Sequence, residues 1–167
     1  MMRDLPVALA GRSVSFVALL VIVEAIAFTP RPIPAQEEPA ALLSRIVDQP
    51  FEDVVLAVVD AINGQNFRIT GENDIGMGLR KRGYDDFPNY RIIHFCNLEL
   101  ARKGLLVDMR LGAIMPCRVA IYEEGGHVVV VLPSAQSVLA PLKNPDLAAF
   151  QSKLEAVYRA ILDEVTY

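Results

Sequence analysis

The chain has 167 residues, enough for one domain or for one domain behind a targeting segment. Hydrophobic residues make up 53% of it, and the excess is concentrated between Leu5 and Phe28. The formal net charge is −4 and the one basic run, Arg80-Lys81-Arg82, is followed by Asp85-Asp86. A nucleic-acid partner is excluded, because no basic stripe is present to neutralise phosphates.

The first segment has the order of an export signal. Arg3 and Arg12 precede an apolar run from Val14 to Phe28, and a Pro-rich stretch then ends in Ala35. Cleavage after Ala35 fits this order, although Ile33 is an imperfect third-from-last residue. Leu5 to Phe28 is also long enough to span a bilayer, so a retained anchor is the competing reading. Glu24 is the misfit, since a carboxylate inside a spanning helix costs on the order of 2.5–3.5 kcal/mol. In an anchor, Glu24 is a candidate contact to a neighbouring membrane helix. Both readings keep the positive end inside and export the rest to the periplasm or another extracytoplasmic space. Residues 1–35 are thus expected to be a signal peptide or an N-terminal hydrophobic transmembrane helix. Residues 36–43 form a linker, and 44–167 a single domain.

Beyond the linker, "ALLSRIVDQ" (41–49) reads as a strand. Phe51, Val54, Val55, Val58, Val59 and Ile62 fall at helical spacing, with Pro50 and Glu52-Asp53 at the start and Asn63-Gly64 as the stop. "NFRIT" (66–70) is a short strand. Residues 71–89 are rich in glycine and charge and read as a long connection, with one helical turn around Met77–Arg82. "YRIIHFC" (90–96) is the next strand, and Asn97 is placed to cap a helix running to about Leu106. "CRVAIY" (117–122) and "HVVVVL" (127–132) flank Glu123-Glu124-Gly125-Gly126, a hairpin signal. From Asn144-Pro145-Asp146 a last helix opens, whose Leu147, Phe150, Leu154, Val157, Tyr158, Ile161 and Val165 form one apolar stripe. The order lacks regular βαβ repetition. It predicts an α+β domain, an antiparallel-dominated sheet with helices packed on one face.

The only histidines are His94 and His127, and the only cysteines Cys96 and Cys117. If the strands holding the two thiols are neighbours, the thiols can meet. An exported compartment and an even count favour a disulfide. Buried thiols serving as small apolar side chains are an equal competitor. A reactive or ligating pair is the third reading, with His94, Met115 or His127 as further ligands. Metal sites usually show tighter spacing or more ligands, and the C-x-x-C-H of haem attachment is absent. No metal site is predicted.

"RIIHFCNLELARKGL", "IMPCRVAIYEEGGHVVVVLP" and the closing amphipathic helix resemble the domain of unknown function 302 family over roughly residues 45–165. The resemblance implies a small α+β fold of the TATA-box-binding-protein-like type, without implying DNA binding, and the family has no agreed biochemical activity. The family's motif positions fall on Cys96, Asn97, Pro116 and Cys117. Three residues depart from the pattern: His94 stands where a small or neutral residue is expected, Leu98 for a usual proline and Arg118 for a usual asparagine.

Catalytic constellations are thin. G-x-S-x-G, a Walker loop and a dinucleotide fingerprint are all missing, and Asp85-Asp86 and Glu123-Glu124 are adjacent pairs whose side chains diverge in extended chain. No catalytic residue is therefore named. The sequence points to an exported, non-enzymatic binding or accessory module, as a membrane-complex subunit or a homo-oligomer. The alternative is a redox-active dithiol or a metal- or haem-handling protein that uses Cys96, Cys117 and His94, with Asn97 beside them.

Overall fold

The computed structural model describes residues 41–165, so the N-terminal hydrophobic segment and Glu24 lie outside it. Five strands form one antiparallel sheet: β1 (Leu42–Val47), β2 (Arg68–Asp74), β3 (Tyr90–Cys96), β4 (Cys117–Glu124) and β5 (His127–Pro133). Their spatial order is β1-β5-β4-β3-β2, which makes β4 the central strand. The five helices are α1 (Phe51–Gly64), α2 (Ile75–Arg80), α3 (Leu98–Val107), α4 (Ala135–Leu139) and α5 (Ala148–Glu164). Short 3-10 turns at Met109–Ala113, Ala140–Leu142 and Pro145–Leu147 complete the described chain. No helix among the described residues is long and apolar enough to cross a membrane.

Alternation along the strands sends Leu43, Val47, Ile93, Phe95, Val119, Ile121, Val128, Val130 and Leu132 to one face, where all are buried. The apolar stripes of α1 (Val54, Val58, Ile62) and α5 (Leu154, Tyr158, Ile161) close over them. Phe95 sits at the centre, edge-on to Phe67 at 5.6 Å and to Tyr158 at 6.2 Å. Gly64 ends α1 as the sequence predicts, and Asn66, at φ 61°, turns the chain toward β2.

Two parts of the chain differ from the expected reading. β2 runs to Asp74, although residues 71–74 are glycine and polar residues with little strand preference. Pairing with β3 supplies their backbone hydrogen bonds, through a register shift between Ile69 and Gly71. The region between β5 and the expected last helix forms α4 and one 3-10 turn where no element was expected, and the helix expected to open at Asn144-Pro145-Asp146 begins as the 3-10 turn Pro145–Leu147. Ser134 starts α4 by accepting from Ser137 N at 3.1 Å, a capping pattern followed by too few apolar residues to stand out.

Arg91 ties three elements together on the helix-covered side. Its guanidinium reaches Glu52 of α1 at 2.9 Å and Asp74 of β2 at 3.2 Å, and lies over the Phe51 ring. Nε is also 3.1 Å from Glu72, at an angle that makes this an ion contact rather than a hydrogen bond. The three carboxylates hold the guanidinium protonated against the cost of its burial.

Candidate functional site

The sequence-predicted site residues gather at the end of β3, but not all of them on one side. Asn97 caps α3 by accepting from Leu100 N at 2.8 Å, and its Nδ2 donates to Asn66 O at 2.8 Å. One side chain thus fixes both the helix start and the turn into β2. Beside it, Cys96 and Cys117 line a crevice with Phe67, Leu100, Met115 and Phe150.

Both cysteines are free thiols, so the expected disulfide is not formed. The register explains this, because Cys117 stands opposite Phe95 while Cys96 is one step farther along, opposite Arg68 on β2. Directly opposed residues are the ones whose Cβ atoms approach to about 4.5–5.5 Å. Burial pushes the Cys96 thiol up, and it pushes Cys117 up as well, against a partial offset from the neighbouring Tyr158 hydroxyl. Burial and the facing thiol push the Tyr158 hydroxyl up in turn. These groups stay neutral at physiological pH. The crevice holds about 20 Å³, room for about one water and for no substrate.

His94 lies on the opposite face of the sheet from Cys117. Its cross-strand neighbours are Gly71 and Arg118, and Asn73 Nδ2 donates to its Nε2 at 3.3 Å. His127, at the far end of the sheet, bonds Asp48 through Nδ1. The five positions read as one ligand set are therefore split among three places. No group of three or more metal-ligating side chains occurs among the described residues.

A second feature is larger. The face of the sheet opposite α1 and α5 carries Ile92, Ala120, Tyr122 and Val131, all half-buried, while Leu42 and Ile46 are 59% and 66% exposed. Tyr90 and Tyr122, paired across β3 and β4, stack at 5.4 Å with planes 10° apart. A shallow depression of about 280 Å³ lies here, lined by Leu42, Tyr90, Ile92, Arg118, Ala120 and Val131. The signal for this face is present in the sequence, since "HVVVV" and "RIIHF" are apolar at both parities. Such runs fit a strand buried on both sides.

The family model for the domain of unknown function DUF302 matches residues 43–165, nearly all of the described structure. The chain belongs to the DUF302 family. A solved DUF302 protein from Bacillus stearothermophilus superposes with a TM-score of 0.71, covering 75% of this chain and 98% of that one at 18% identity, which establishes the common fold. An uncharacterized protein of Aquifex aeolicus (strain VF5) is 30% identical over 82 residues. That match takes in 48% of this chain and spans about half, 51%, of the relative. The five-stranded sheet with one helical layer is thus the architecture of the DUF302 domain.

Proposed function

We propose that this DUF302 chain is an exported, non-enzymatic accessory module that acts by docking through the open face of its sheet, delivered across a membrane by its N-terminal apolar segment. One observation carries the reading. A solvated sheet face alternates polar residues outward, yet the outward positions of the three inner strands include the half-buried Ile92, Ala120, Tyr122 and Val131. Contiguous apolar surface of this kind marks a protein or membrane contact. Basic residues before the apolar run support the topology.

Cell fractionation, with the intact mass of the recovered chain and the native mass of its extracted form, tests this. The expected result is an exported chain in an assembly larger than itself. A cytosolic protein, or a processed soluble monomer without partners, overturns it.

The convergence of Cys96, Cys117 and Met115 on one crevice supports a second reading, a thiol or metal site. Metal uptake or fast thiol reactivity lost in Cys96→Ser is its signature. The raised thiols and the distant His94 weigh against it.

A further inference from the structure

We propose that the open face is a homodimer interface, in which a second copy of this chain packs sheet against sheet about a two-fold axis over the middle of β4. The inference rests on the docking reading above and names the occupant. Along the open face, β4 presents Arg118, Ala120, Tyr122 and Glu124, and β4 is the central strand. Position 121 is the midpoint of this series.

A two-fold axis lying between the sheets and running across the strands at that level sets β4 antiparallel over its copy. Arg118 of one copy then stands over Glu124 of the other, and Ala120 over Tyr122. Both pairings along β4 join plus with minus or small with large. The same level carries the neighbouring strands, because Val131 is in register with Ala120, and Val129 with Tyr122. Val131 then stands over Val129 of the second copy, which is buried in its own protomer and adds little new contact. On β3, where Ile92 and Tyr90 are in register with Ala120 and Tyr122, Tyr90 faces Ile92.

Packed sheets lie about 10 Å apart with strands within about 30°, so the match is tightest along β4, where the charges are. The alternative axis, parallel to the strands, sets Arg118 over Arg118 and Glu124 over Glu124, a like-charge arrangement that disfavours it. Arg118 and Glu124 are both exposed, and neither side chain enters a hydrogen bond or ion pair among the described residues.

The full-length chain, purified in mild detergent, is examined by sedimentation over a concentration series. Wild type is expected to be a dimer. Glu124→Arg and Arg118→Glu each raise the dimer dissociation constant by about tenfold or more, and the double reversal brings it back to within about threefold of wild type. Both positions are exposed, and thermal melts verify that each variant folds. A monomeric wild type overturns the proposal. So does a dimer indifferent to the single reversals, or one not restored by the double. A monomer whose open face is protected from hydrogen exchange by residues 1–40 assigns the face to the chain's own leader and also overturns it. An exported monomer bound to a different protein sinks the dimer and keeps the docking reading; a cytosolic dimer does the reverse.

Discussion

Cys96 and Cys117 show how far a side chain's chemistry depends on its surroundings. Only the thiolate is nucleophilic, and burial raises both thiols above their ordinary 9.0. Iodoacetamide at pH 8 is expected to label each at least about tenfold more slowly than an unhindered cysteine, with Cys117 the slower. Rapid labelling of either would revive the dithiol reading. Asp108 has the opposite shift. Arg110 donates to it from backbone N, Nε and Nη2, at 3.0, 3.0 and 2.7 Å, and Asn144 Nδ2 at 3.1 Å, which holds its carboxyl well below the ordinary 3.8. A carboxyl lowered on folding binds more protons in the unfolded chain. Its stabilisation is present above the ordinary value and is lost as the pH falls. Thermal melts of wild type should therefore drop more steeply than those of Asp108→Asn between about pH 5 and pH 2. Equal slopes would show that the clasp adds nothing.

Among the elements, α2 depends on a missing side chain. A Cβ at Gly76 meets Pro88 O at 2.6 Å and Tyr90 N at 2.8 Å, both backbone, whereas one at Gly78 finds only the flexible Arg82 Nη1 at 3.5 Å. Gly76→Ala should cost about 1–3 kcal/mol in urea unfolding by forcing α2 off the start of β3. Gly78→Ala, on the same helix, should be neutral or stabilising by up to about 1 kcal/mol. Equal effects would refute the close approach. The contrast between α1 and β2 explains which elements are readable in advance. The stripe of α1 lies within fourteen residues, so its period shows directly. The second half of β2 has no such signal, and its strand conformation comes from β3, some twenty residues away.

For the molecule as a whole, two isoleucines separate the covered face from the open one. Ile121 is fully buried under the helices, and Ile46 is 66% exposed on the other side. Ile121→Ala should destabilise the dilute protomer by about 2–5 kcal/mol, and Ile46→Ala by no more than about 0.5 kcal/mol, in urea unfolding. Similar losses would mean that both faces are covered in the protomer. Periodicity, caps and turn residues by themselves determined the α+β class, β3, the β4–β5 hairpin, α1, the Asn97 cap and the stripe of α5, because each is written in residues close together along the chain. Tertiary structure alone decided that His94 parts from Cys117 and that the cysteines stay free. Those outcomes depend on strand order and a one-residue register, which bring distant segments together and leave no local trace.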